Sequence, residues 1–126
     1  MTDLPTREEI VHRVRFASAR RDIATLAELL DPAVVALVDG AGDVIAPTTA
    51  VIGSDAVIGE LRRTLSPPTA VAPEVTLHPV NSAPALVVRA DGRVVAIVGF
   101  GIVDGLVHQI WITRSPQKLA RWNASR

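Results

Sequence analysis

Between residues 85 and 113 three apolar runs follow one another: 85-ALVVR-89, 93-RVVAIVGFGIV-103 and 106-LVHQIWIT-113. Only Asp91-Gly92 and Asp104-Gly105 separate them. Nothing else in the chain limits the fold as tightly. An Asp-Gly link between β-prone runs tolerates positive φ at both positions and marks a tight hairpin. The second half is therefore an antiparallel meander. Its middle run, 94-VVAIVGFGIV-103, is apolar on both faces, so neither face suits water. One face can pack on helices. The other needs cover too, and a second copy of the sheet is the simplest cover. A homodimer through the sheet is the expectation.

The first half supplies the helices. Thr6 and Glu9 form a T-x-x-E capping box behind Pro5, and Ile10, Val11, Val14 and Ala17 then recur at helical spacing. Asp22 can cap a second helix, 23-IATLAELL-30, with Ile23, Leu26, Ala27 and Leu30 as its apolar face. Asp31-Pro32 stops it, because the residue before proline is pushed out of the helical region. The period then changes. The run 33-AVVALV-38 is β-rich and leads into 39-DGAGD-43, with Val44 and Ile45 behind it, so 33–46 reads as a hairpin with DGAGD at its tip. Gly53-Ser54-Asp55 opens a third helix over 55–65, which Pro67-Pro68 ends. Strand signals resume at 70-AVAPEVTLH-78, and Pro116 starts a short terminal helix over 116–122. Helices early and strands late make an α+β order, not an alternating one. A length of 126 residues favours one domain over 1–126.

Charge and composition exclude several functions. Lys+Arg and Asp+Glu number 13 each, so no global basic field draws nucleic acid or an anionic membrane. Twelve of those basic residues are Arg, which with abundant Ala and Val fits a GC-rich bacterial genome. There is no cysteine, which removes disulfides, thiolate metal ligation and thiol nucleophiles. The N-terminus has no apolar core of a signal peptide, and the longest apolar run is too short for a bilayer. A soluble, cytoplasmic protein is the expectation.

Few residues offer chemistry. In DGAGD the glycines Gly40 and Gly42 suit positive φ and the aspartates suit turn caps; alternatively Asp39 points inward or grips a partner. His108 shares a strand face with Leu106, Ile110 and Ile112 by simple alternation. It is either a core histidine bonded to a carbonyl or a pocket histidine able to move protons near neutral pH. Trp111, on the other face with Gln109, reads as an interface anchor. Asn81 is a turn cap or a polar group at a pocket mouth. Arg89 can pair with Asp91 or Asp104, or point inward. Arg62-Arg63 read as a solvated face. The three histidines share no metal-ligand spacing, so no metal and no cofactor are expected. No G-x-S-x-G is present for a serine hydrolase.

The element order is similar to that of the nuclear transport factor 2-like, or SnoaL-like, superfamily. DGAGD, 81-NSAPALVVRADG-92 and 115-SPQKL-119 resemble, in order, three motifs of the C-terminal SnoaL-like domain of extracytoplasmic-function sigma factors. Those motifs are Asp-Gly-Gly-Gly-Lys, Asn-Gly-x-Pro-Ala and Asn-Pro-Asp-Lys-Leu. The resemblance runs from about Phe16 to Leu119. Three positions depart from it, with Asp43, Ser82 and Ser115 in place of lysine, glycine and asparagine. It implies a cone-shaped α+β barrel, three N-terminal-half helices against a curved, mostly antiparallel sheet, around an apolar pocket. The sequence shows no helix-turn-helix and no basic stripe, so it looks like the accessory domain alone.

The function implied is a stand-alone small-molecule-binding or regulatory module, with an apolar small molecule or a protein as partner. The alternative is a small isomerase, cyclase or hydrolase. The chain lacks tyrosine, the usual oxyanion donor of ketosteroid-isomerase relatives, so proton transfer would fall to Asp39 as base and His108 as donor. An epoxide hydrolase would need two acids and an arginine around a water. Lys118, the only lysine, is expected on the same edge as Asp39 and Asp43, joining the first and third motifs.

Overall fold

The structure is a computed structural model that describes residues 4–39, 48–66 and 72–123. Helices α1 (Arg7–Arg20) and α2 (Ile23–Leu29) come first, then β1 (Leu30–Val38), β2 (Thr49–Ile52) and α3 (Ser54–Leu65). Four strands follow, β3 (Glu74–Val80), β4 (Ala83–Ala90), β5 (Arg93–Val103) and β6 (Leu106–Thr113), and α4 (Pro116–Asn123) closes the order. The capping box forms: Glu9 N–H donates to Thr6 Oγ1 at 3.1 Å, and Glu9 Oε1 accepts from Thr6 N–H at 3.4 Å. Asp22 caps α2 through Thr25.

The strands make one open, mixed sheet in the order β2-β1-β6-β5-β4-β3. Only the β1–β6 pair is parallel. Both Asp-Gly links are two-residue turns with positive φ throughout, 53° and 79° at Asp91-Gly92 and 51° and 80° at Asp104-Gly105. Asn81-Ser82 makes a third such turn, with φ of 52° and 66°. β1 pairs with β2 as an antiparallel hairpin, Val38 opposite Thr49 and Val35 opposite Ile52. Residues 44–46, like Gly40, Gly42 and Asp43, lie outside the described residues.

One sheet face carries the main core. Ile10, Val11 and Val14 of α1 and Val57 and Leu61 of α3 are fully buried against Val34, Leu86, Val88, Val98 and Ile110. α2 buries Leu26 and Leu29, and Leu30 is buried as the first residue of β1; Ile23 and Ala27, expected on the apolar face, are exposed, Ile23 at 41%. Register shifts break strand alternation in three pairs, β1–β6, β4–β5 and β5–β6. On β5, Val88 pairs with Ala96 but Arg89 with Val94, so Val95 is an extra residue. Val94 and Ile97 therefore share the outer face, while Ala96, Val98 and Phe100 face the helices.

The outer face is covered in part by the chain itself. Leu119 of α4 is buried there against Ala85, Val87, Val94 and Ile97, a contribution of about 1.5–3 kcal/mol. Asn123 fixes the far end of α4. Its Oδ1 accepts from Val94 N–H at 2.9 Å and its Nδ2 donates to Val94 O at 3.2 Å. This satisfies a strand residue that β6 does not reach. Among the described residues, no helix is long and apolar enough to cross a membrane.

Candidate functional site

The near end of α4 is held by Asp39. β1 runs out at Val38, and Asp39 N–H donates to Ile112 O at 3.0 Å. That bond sets the carboxylate beside the chain leaving β6. Oδ1 accepts from Arg114 N–H at 2.6 Å and from Ser115 N–H at 3.2 Å. A carboxylate there satisfies donors ahead of the first turn of α4 and complements the helix dipole. Lys118 Nζ stands 3.6 Å from Oδ2, its side chain 63% exposed and that of Asp39 only 11%. Asp39 and Lys118 thus occupy one edge.

Next to this pair, α4 and the β3–β4 hairpin enclose a cavity of about 670 Å³. Asn81, Arg89 and Lys118 line it, together with Arg121 and Trp122. Positions 118, 121 and 122 fall on one helical face, which is why three α4 side chains reach the same space. Asn81 arrives from its turn. Arg89 arrives from the outer face of β4, on the side of Ala85 and Val87. Its Nη1 donates to Thr76 Oγ1 at 3.4 Å and lies 3.9 Å from Glu74 Oε1. The expected partners Asp91 and Asp104 are not used. His78 stands edge-on to Trp122, ring centroids 6.0 Å apart at 78°, and so braces the indole.

The electrostatics of the groove are cationic. Its two ion pairs, at 3.6 and 3.9 Å, are longer than the roughly 2.7–2.9 Å of a charge-assisted hydrogen bond. Lys118 and Arg89 therefore keep donors for another acid. Arg121 is exposed and has no ion-pair partner among the described residues. Such a groove can hold an anionic group on its arginines with an apolar or planar part against Trp122.

His108 is not where alternation put it. Gly101 pairs with Gln109 and Ile102 with Val107, so His108 is the extra residue of a bulge on β6. The bulge sends Val107 to the core with Ile110 and Ile112, and leaves His108 exposed, its Nε2 3.5 Å from Asp31 Oδ2. Asp31 and Asp39 lie at opposite ends of β1, whose Leu30 and Val38 stand beside Val107 and Ile112 of β6, about 17 Å apart at strand rise. Asp39 and His108 cannot share a proton-transfer step.

One polar cluster was not foreseen. Arg114 Nη2 donates to Glu60 Oε2 at 2.7 Å and to Thr64 Oγ1 at 2.6 Å, tying the end of β6 to α3. With Asp39 on the Arg114 main chain, two acids and an arginine do gather. However, Asp39 Oδ1 holds the backbone and Glu60 the guanidinium, while Asp39 Oδ2 and Arg114 Nε are buried without a hydrogen-bond partner among the described residues. No short-range pattern announces a contact spanning more than fifty residues. Arg121 and Trp122 were readable, from their spacing to Lys118.

No protein-family model matches the chain, and no curated protein sequence does. Solved structures do. The extracytoplasmic function sigma factor SigJ of Mycobacterium tuberculosis is 28% identical over 90% of this chain, with a TM-score of 0.65. The chain spans only 44% of that protein, its C-terminal domain. An NTF2-like protein of unknown function from Cytophaga hutchinsonii aligns over 95% of this chain and 99% of its own, at 12% identity and TM-score 0.62. An M. tuberculosis LEH-like epoxide hydrolase aligns over 94% and 92%, at 16% and 0.50. The chain has the nuclear transport factor 2-like, SnoaL-like fold.

Proposed function

We propose that this SnoaL-like domain is a binding or regulatory module that takes an acidic ligand or partner segment in the α4 groove. The observation that carries this is the meeting of Arg89, Lys118, Arg121 and Trp122 around one cavity. Asn81 and Lys118 come from the second and third motifs of the sigma-factor-associated domain, and Asp39 from the first. Likeness to a sigma factor over most of this chain supports a regulatory role over a metabolic one. The separation of Asp39 from His108 weighs against the proton-transfer pair of an isomerase, and for a cyclase or hydrolase the fold alone is no argument.

The module works as a homodimer. α4 covers one end of the outer sheet face. Trp111 stands 45% exposed on the rest, beside an apolar hollow of about 410 Å³. Tryptophan fluorescence reads the groove directly, through Trp122. Titration with a hexaglutamate peptide at low salt should change the emission saturably, and the K118A/R121A variant should lose the response. An equal response in both proteins would remove the groove from the account.

A further inference from the structure

On the helical side of the sheet, the last turn of α1 and the second half of α3 enclose a cavity of about 320 Å³. Ser18, Arg21, Gly59, Arg62, Arg63 and Ser66 line it. Ser18 is 4% exposed, and its Oγ has no hydrogen-bond partner. A buried hydroxyl without a partner is costly and uncommon, and it marks a place where something polar belongs. Arginines near helix C-termini also complement the helix dipole. That accounts for their charge but not for the orphaned hydroxyl.

The rest of the lining fits one kind of guest. Arg21 holds a left-handed backbone, φ 57°, at the α1 C-cap, where glycine is the usual choice. Arg63 Nη1 reaches over Gly59, 3.6 Å from where a Cβ would stand. The acid in contact is Glu60, 3.4 Å from Arg63 Nε, and it is already held by Arg114 at 2.7 Å. Three arginines and two serines thus line a hollow whose one neighbouring carboxylate is shared. Planar forks of this kind match a tetrahedral oxyanion, and the volume is at the small end of ligand pockets, which begin at about 300 Å³.

We propose that this cavity binds a phosphoryl group, with the arginines on its oxygens and Ser18 Oγ as a buried donor. The site is separate from the α4 groove, which lies on the other face of the sheet. Isothermal titration of the full chain tests it, with inorganic phosphate and with a nucleoside monophosphate, against chloride at matched ionic strength. The expected result is one phosphate per chain, with R62Q weakening binding about tenfold or more, the loss of one charge-assisted contact. S18A should weaken it as well, while leaving the melting temperature of the ligand-free protein unchanged or higher. K118A/R121A should bind phosphate as the native chain does. A tighter nucleoside monophosphate assigns the site to phosphate esters, and equal affinity assigns it to free phosphate. Phosphate binding no stronger than chloride, unchanged in S18A and R62Q, or lost in K118A/R121A, overturns the proposal.

Discussion

Asp39 grips the main chain of Arg114: its Oδ1 accepts that N–H at 2.6 Å and the next, of Ser115, at 3.2 Å. The carboxylate stands 75 residues away in sequence, yet it does the work of a helix cap for α4. Lys118 sits 3.6 Å from its other oxygen, an exposed ammonium beside a mostly buried carboxylate. The first and third motifs therefore meet for two reasons. Asp39 orders α4, and the ordered α4 presents Lys118, Arg121 and Trp122.

Asp39→Ala should accordingly cost about 1–3 kcal/mol, because two main-chain donors lose their acceptor. Asp39→Asn, which keeps an acceptor oxygen, should cost less. Urea denaturation of the three proteins measures both. A loss under about 0.5 kcal/mol in Asp39→Ala, the level of an ordinary surface change, would mean that α4 is held by Leu119 and Asn123 alone. This also makes Asp39→Ala a poor probe of recognition, for which Lys118 and Arg121 are the cleaner choices.

Gly101 lies beneath the Trp111 indole. A Cβ at Gly101 would come 3.3 Å from Trp111 Cη2 and 3.4 Å from Gln109 Cβ. Gly101→Val should lift the indole and, if the outer face joins two copies, dissociate them. Light scattering at micromolar concentration should give a dimer for the native chain and a monomer for the variant. A monomeric native chain would refute the dimer.

Phe100 is 8% exposed within the main core. Phe100→Ala should destabilise by about 3–5 kcal/mol. Chemical denaturation showing under about 1 kcal/mol would contradict the assignment of β5 to that face.

Asp22 offers a test by pH. The Thr25 hydroxyl, donating to Oδ2 at 2.7 Å, and then the Thr25 N–H, donating to Oδ1 at 3.1 Å, hold its carboxyl below the ordinary value. A depressed value in the folded state means that the cap is intact above the unfolded value and is lost as pH falls through the folded one. The side-chain carboxyl resonance of Asp22 should titrate below that of the denatured chain, with the Thr25 amide following it. A midpoint at or above the denatured one would show that the cap bond does not persist in solution.

The elements were open to reading where local chemistry decides them. The T-x-x-E box, the Asp22 cap and the two Asp-Gly turns each act within four residues, and each forms as read. The errors come from bulges. One extra residue at Val95 and one at His108 invert the inward and outward alternation that follows. Nothing in the runs themselves marks where a ladder will slip. This moved His108 from the expected core face to the surface, and it let α4 cover Val94 and Ile97 together. The site was half visible for the same reason. Asn81, Arg89 and Lys118 could be nominated one by one, but only the turn at Asn81-Ser82 and the packing of Leu119 bring them to one cavity. The Arg114–Glu60 bond spans 54 residues and left no trace in any motif.

Native mass spectrometry of the protein taken from its source tests the central claim most directly, with the K118A/R121A variant prepared in parallel. Both substituted side chains are exposed, so the variant should melt as the native chain does. The account predicts an acidic small molecule or a protein partner bound to the native chain and absent from the variant. The same species retained on both proteins would contradict it, as would a native chain that carries nothing.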